Sequence, residues 1–224
     1  MPSREILALA TDYDRTLTDL ELRPVPEVFD ALARARAAGR KVIIVSGRGL
    51  DFLEREVGHL ADAIVGENGC FLLHGGSRVC LAPTMELRRV LTALDIPVEL
   101  GEAMASADVE HEAMLRDAFA NAGIDVDLIR NRDRVMVLPR GIDKAAGVLA
   151  ALDALRIPPE KAAAAGDGEN DVVLLQAVGY GIAVSNAVDE LKEVADHVSD
   201  EVGGHGVARW INEHWLARNK EAAA

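Results

Sequence analysis

The chain has 224 residues, half of them hydrophobic, and its 37 acidic residues outnumber 24 basic ones for a net charge of −13. That length and apolar content bury a core of one large domain, or of a core with a smaller second unit. The acidic excess repels a phosphate backbone and argues against nucleic acid as a partner, and an anionic metabolite would need a metal ion or locally clustered Lys and Arg to hold it.

In chain order, Ile6–Ala10 is a wholly apolar run, and Lys41–Val45 repeats the type with β-branched residues, so both read as strands buried on two faces. Between them Pro26 opens a helix whose apolar positions Val28, Phe29, Leu32 and Ala35 fall at helical spacing, and Gly39 ends it. The unit is βαβ, and its strands should run parallel. A helix over Leu50–Val57, a strand at Ala63–Val65 and another near Cys70–Leu73 follow, before a turn at Gly75 and Gly76.

The pattern changes between residues 81 and 140. There the spacing predicts a helix over Thr84–Leu94, an extended stretch near Val98–Ala103, a helix over Val109–Ala122, and strands at Ile124–Ile129 and Arg134–Leu138. Asn131, Arg132 and Asp133 join the last two as an antiparallel hairpin. After Gly141 the alternation returns with a helix over Lys144–Leu155, strand Ala162–Ala165, helix Asp171–Val178, strand Tyr180–Val184, helix Val188–Glu193 and a short strand near His197–Ser199. Gly203–Gly206 reads as a flexible loop before a terminal helix and a fraying alanine-rich tail. An α/β core interrupted by an insertion accounts for the order.

Cys70 and Cys80 have no neighbouring pair of His or Cys to complete a zinc site and are expected as free, buried thiols. Met1–Ala10 lacks the layout of a signal peptide and no run of 18 apolar residues occurs, so a cytoplasmic protein without a membrane partner is expected.

The chemistry sits at strand ends, where parallel α/β sheets bind ligands. Asp12 and Asp14 follow the first strand, and Gly166, Asp167, Asn170 and Asp171 follow the strand at Ala162–Ala165. Taken alone, Asp12 and Asp14 could simply cap a turn. A second acidic cluster at an equivalent strand end favours a shared hard cation, which takes oxygen ligands and keeps waters. An EF-hand calcium loop fails on spacing, because position twelve counted from Asp167 is Val178 rather than glutamate. Ser46 and Gly47 end the second strand at a helix entrance suited to phosphate oxygens, and Lys144 opens the helix that re-enters the core.

Together, Asp12-x-Asp14-x-Thr16, Ser46, Lys144 and Gly166-Asp167-x-x-Asn170-Asp171 resemble the four motifs of the haloacid dehalogenase superfamily of hydrolases, in their usual order. The resemblance implies a Rossmann-like, doubly wound parallel-sheet core, residues 1–80 and 141–224, with an inserted small α+β type-2 cap at 81–140. Glu67-Asn68-Gly69, the small cap and the approach Gly141-Ile142-Asp143-Lys144 are most similar to archaeal-type phosphoglycolate phosphatases and neighbouring Cof-like sugar-phosphate phosphatases. Arg15 departs from the pattern, standing where many relatives have glycine.

The function implied is that of a Mg²⁺-dependent phosphatase acting on a small phosphorylated metabolite, as a monomer or homodimer. Asp12 would be the nucleophile and Asp14 the acid and base, with Asp12, Asp14, Asp167 and Asp171 around the metal. Ser46, Gly47 and Lys144 would hold phosphate, while Thr16 and Asn170 either support the loops or simply cap them. A phosphomutase or phosphotransferase, and a non-catalytic phosphate-binding domain, are the rival readings. The insertion is expected to move as a lid, with hinges near Gly75-Gly76 and Arg140-Gly141. Arg130, Arg132 and Arg134 are each plausible as the solvated tip of a hairpin; as a group they are candidates for the non-phosphate end of an anionic substrate.

Overall fold

The structure is a computed structural model and describes residues 5–82 and 87–217. Its central strands are the apolar runs read above. Strand β1 (Ala8–Thr11) is buried throughout, and it lies between β2 (Lys41–Val45) and β10 (Ala162–Gly166), parallel to both. Alanine has little strand propensity, so the four alanines of β10 are extended because of burial and pairing rather than local preference. The full sheet has eight strands in the order β12-β11-β10-β1-β2-β3-β4-β5. The outer members are β3 (Ala63–Gly66), β4 (Phe71–His74) and β5 (Ser77–Cys80) on one side, and β11 (Tyr180–Ala183) and β12 (His197–Val198) on the other. Pairing is parallel from β12 to β3 and antiparallel for β3, β4 and β5.

Helices fill the crossovers. Helix α1 (Pro26–Ala37) starts with proline at its first turn and buries Val28, Ala31, Leu32 and Ala35. Helix α2 (Leu50–Val57) follows β2, and α5 (Lys144–Leu155) is capped by the Asp143 carboxylate, which accepts the Ala146 N–H at 2.8 Å. Between β5 and α5 lies a second sheet of four strands, ordered β6-β7-β9-β8 and antiparallel throughout. Its members are β6 (Glu99–Leu100), β7 (Ala105–Asp108), β8 (Val126–Asn131) and β9 (Arg134–Pro139). Helices α3 (Leu87–Leu91) and α4 (Glu112–Ala122) accompany it, and Leu115, Phe119, Val135 and Val137 form its own apolar cluster. The α/β class with a separate small antiparallel unit is as expected. Among the described residues no helix is long and apolar enough to cross a membrane.

Several local expectations are corrected. Gly203–Gly206 is not a loop but the first turn of α8 (Gly203–Trp210). Its glycines are there because a Cβ at Gly203 would lie 2.2 Å from the Thr18 carbonyl, and one at Gly204 2.7 Å from that of Leu17. Gly75 and Gly76 form the turn of the β4–β5 hairpin inside the large sheet, so they are no hinge to the insertion. Cys80 is exposed on the edge strand β5, while Cys70 is buried, and both are free. The helix expected over Asp171–Val178 shortens to a 3₁₀ turn, Glu169–Asp171, followed by α6 (Val172–Gln176). Helix α7 (Asp189–Val194) completes the set. Residues 84–86 of the expected helix over Thr84–Leu94 lie outside the described residues, as does the alanine-rich tail from 218.

Candidate active site

Because β1 and β10 pair in register, Thr11 opposite Ala165, the residues that follow them emerge side by side, with the Asp12 N–H donating to the Ala165 carbonyl at 2.9 Å. The loop after β10 folds back sharply. A Cβ at Gly166 would come within 2.5 Å of the Asp171 side chain, and the Asp171 carboxylate instead accepts the N–H groups of Asp167 and Gly168, each at 3.0 Å. Carboxylate oxygens of Asp12, Asp167 and Asp171 thereby come within 4.8 Å of one another, and all three side chains are buried.

Lys144, at the first turn of α5, closes this cluster from below. Its Nζ donates to Asp12 Oδ1 at 2.7 Å and to Asp171 Oδ1 at 2.6 Å, with the side chain only 2% exposed. Burial alone would favour the neutral amine, but the charges of Asp12 and Asp171 outweigh it and hold Lys144 as an ammonium, above its ordinary range. Burial is also the largest effect on Asp12, pushing its carboxyl well above the ordinary value; Lys144 pulls it down, and Asp171 and Asp167 push it up again. Burial and then Asp171 likewise raise Asp167, against the pull of Arg132 and Lys144.

These directions test whether a metal fits. Three buried carboxylates face two cations, the Lys144 ammonium and the Arg132 guanidinium on Asp167; a hard divalent cation would balance the negative charge left over, and the donor set is all oxygen. The Asn131 Oδ1 atom is buried without a hydrogen-bond donor, and a Cβ on Gly168 of the acidic loop would meet it at 2.4 Å. A hydrated cation brings waters that could donate to such an atom. The residues present fit a metal ion.

The Asp14 carboxylate stands outside this cluster. Arg48 grips it bidentately, Nε to Oδ2 at 2.8 Å and Nη2 to Oδ1 at 3.0 Å, while stacking over the Phe52 ring. Ser46, buried after β2, accepts the Arg48 N–H on Oγ and the Asn68 N–H on its carbonyl. The Thr16 hydroxyl lies 3.4 Å from Asp167 Oδ1, and the Asn170 amide donates to Asn68 Oδ1 at 3.0 Å. Asp12, Asp14, Ser46, Gly47, Asp167 and Asn170 all line one cavity of about 390 Å³, whose far wall comes from the small sheet. A second cavity of about 380 Å³ by Glu54, His59 and the Gly75-Gly76 turn contains none of the motif residues.

The three arginines of the hairpin part company. Arg130 points outward to Glu112, whereas Arg132 and Arg134 line the cavity. Arg132 reaches across to Asp167, and Arg134 is held by Ser106, Asp108 and Glu99. Arg48, Asn68, Met104 and Asn131 also belong to this neighbourhood but carry no assigned role in the sequence reading. Arg48 left a signal in following Ser46 and Gly47, Asn68 in the Glu67-Asn68-Gly69 run, and Asn131 in the hairpin turn.

A family model described as haloacid dehalogenase-like hydrolase matches residues 98–211. The chain is 30% identical over 215 residues to a phosphoglycolate phosphatase of Methanothermobacter thermautotrophicus, covering 91% of this chain and 96% of that protein. The chain belongs to the haloacid dehalogenase-like hydrolases. It is also 29% identical to phosphoglycolate phosphatase 2 of Saccharolobus solfataricus, over 94% of this chain and 93% of the relative. The fold is shared with a crystal structure from Thermoplasma acidophilum at a TM-score of 0.82 and 21% identity, covering 93% of this chain and 98% of that one.

Proposed function

We propose that the protein is a Mg²⁺-dependent phosphatase that hydrolyses a small phosphorylated metabolite, phosphoglycolate first among them. The observation that carries this reading is the buried set of Asp12, Asp167 and Asp171 closed by one ammonium at the ends of β1 and β10. Residues 1–80 and 141–224 form the catalytic core, and 81–140 the cap that covers it. Asp12, Asp167 and Asp171 would hold the metal, with the main-chain carbonyl of Asp14, whose carboxylate is engaged by Arg48. Bound there, Mg²⁺ would shield the nucleophile from the anionic phosphate and neutralise charge on its oxygens.

An Asp12 carboxylate oxygen attacks phosphorus, and the bond from phosphorus to the leaving oxygen breaks as the Asp14 carboxyl delivers its proton there. The Asp14 carboxylate then takes a proton from water, whose oxygen attacks the aspartyl-phosphate, releasing phosphate and restoring Asp12. Arg48 fixes the direction in which Asp14 points. Lys144 holds Asp12 in place from beneath the cavity, and Ser46 and Gly47, which line it, offer donors to the phosphoryl oxygens. Thr16 and Asn170 brace the two loops.

The test is phosphate release from a panel of small phosphate esters, with Mg²⁺ and with a chelator. Turnover should need the metal, be highest for phosphoglycolate, vanish in Asp12→Asn, and fall about 10²- to 10⁴-fold in Asp14→Asn. Near-native activity in folded Asp12→Asn, or indifference to chelation, overturns the mechanism; dependence on an added sugar acceptor would make it a phosphotransferase.

A further inference from the structure

We propose that Arg132 recognises the anionic, non-phosphate end of the substrate, and that it is parked on Asp167 until a cation claims that carboxylate. The inference rests on the phosphatase reading above. The Arg130 side chain is 66% exposed and spends its Nε on Glu112. The Arg134 guanidinium donates to Ser106 Oγ at 3.0 Å and Asp108 Oδ1 at 2.6 Å, and its buried Nη2 lies 3.2 Å from Glu99 Oε1 as an ion pair without a hydrogen bond. Both shape the hairpin.

Arg132 differs in backbone and in reach. Asn131 pairs with Arg134, so Arg132 and Asp133 are the two residues of the turn, and Arg132 has a left-handed φ of +56°. Its own N–H donates to Glu169 Oε2 at 2.9 Å, which docks the tip onto the acidic loop. From there Nη2 reaches Asp167 Oδ2 and, at 3.2 Å, the Asn186 carbonyl. Nε and Nη1 make no hydrogen bond among the described residues, and the side chain keeps about a third of its surface, 32%, exposed, which leaves the guanidinium donors for an incoming acceptor.

Position fixes the kind of acceptor. Asp167 lies beside Asp12, and Arg132 lies beside Asp167, so the guanidinium is one carboxylate group away from the attacking residue, inside the same cavity. A phosphate ester anchored at Asp12 would bring only a short tail into this space. A guanidinium edge matches a carboxylate bidentately, while a neutral hydroxyl tail offers it no charge. The substrate class is a phosphorylated two- or three-carbon acid. Arg132 and a metal compete for Asp167, so a cation loaded there frees the guanidinium when the substrate needs it.

Calorimetry in the non-turnover Asp12→Asn background, with Mg²⁺ present, compares phosphoglycolate with its neutral analogue 2-hydroxyethyl phosphate. Adding Arg132→Ala should weaken phosphoglycolate about 10- to 100-fold, the worth of a charge-assisted contact, and at least tenfold more than it weakens the neutral ester. Arg132→Lys should recover only part of the loss, because an ammonium lacks the fork. Mg²⁺ titrated alone into the protein with Asp12 intact should bind Arg132→Ala several-fold more tightly than wild type, since a competitor for Asp167 is gone. Equal weakening of both esters, or weakening of neither, overturns the recognition role; unchanged or weaker Mg²⁺ binding overturns the parking. A wild type that binds phosphoglycolate through Arg132 yet hydrolyses no ester would sink the phosphatase reading and leave this one standing.

Discussion

Arg15 has a φ of +57°, a left-handed conformation that costs a residue with a Cβ about 1–2 kcal/mol. A glycine here would answer the backbone demand of the loop between Asp14 and Thr16 without that cost. Here the conformation is enforced by its surroundings: the Arg15 N–H donates to Thr18 Oγ1 at 2.7 Å, and its carbonyl accepts from the Asn186 amide at 3.1 Å. Arg15→Gly would relieve the strain but give the unfolded chain more freedom, which takes back about 0.5–1 kcal/mol. The expected outcome in urea unfolding is a gain of up to about 1 kcal/mol, with turnover retained; a loss of more than that would mean the side chain itself holds the loop. At this scale the aspartates, Ser46 and Lys144 were legible because each follows a strand or opens a helix in a readable order. The pairing of Arg48 with Asp14 was not, since two side chains 34 positions apart leave no local pattern.

Elements were legible where apolar contrast was strong. Lys41–Val45, Leu50–Val57 and Lys144–Leu155 appear with the bounds their patterns give. Strand β5 escaped because Ser77–Cys80 is exposed at every position and carries no buried face to announce it. Strand β7, Ala-Ser-Ala-Asp, does alternate buried and less buried residues, but with alanine as its only apolar side chain the contrast is faint. Gly203–Gly206 misled because glycine is a poor helix former, and close backbone approach overrode the propensity. The junctions between elements carry a prediction at Asp62, whose carboxylate, in the turn before β3, accepts from Arg36 of α1 at 3.0 Å, Lys41 of β2 at 3.1 Å and the Val42 N–H at 3.0 Å. Burial pushes its pKa up, but these hydrogen bonds together outweigh it and hold it below the ordinary 3.8. A carboxylate depressed in this way adds stability above its unfolded value and loses it as pH falls through the folded one. Asp62→Asn should therefore cost about 1–3 kcal/mol at pH 7, judged from hydrogen bonds to charged groups, and less at pH 3, below the ordinary 3.8. Urea titrations at the two pH values check this; an equal cost at both would show that the charge contributes nothing.

Across the whole molecule, the two sheets meet at a turn that sequence reasoning singled out only by resemblance. Glu67 and Asn68, just after β3, have left-handed φ values of +49° and +52°. The buried Glu67 carboxylate accepts the N–H groups of Glu102 and Ala103, each at 2.8 Å, and of Met104 at 3.1 Å, in the segment leading into β7. Its neighbour Asn68 donates to Met136 Sδ of β9 and accepts from Asn170 of the acidic loop. One core turn thus grips the small sheet while touching the catalytic loop, and any lid motion of the cap must pivot about it or break it. The grip bears on Glu102, Ala103 and Met104 and, through Asn68, on Met136 within β9, while the hairpin tip at Arg132 is docked separately on Glu169 and Asp167. Glu67→Gln keeps the shape of the side chain but replaces one acceptor oxygen with a donor, leaving at least one of the three N–H groups unpaired, at a cost of about 1–3 kcal/mol. Hydrogen exchange at Glu102, Ala103 and Met104 should quicken by about 10- to 100-fold, while β1, β2 and β10 keep their protection. With the pivot loosened, KM for the preferred ester should rise more than kcat falls, because closure has to be re-established at each binding event. Unchanged exchange at the three amides would show that the segment is held by its own sheet, and the pivot would then lie elsewhere along the connection.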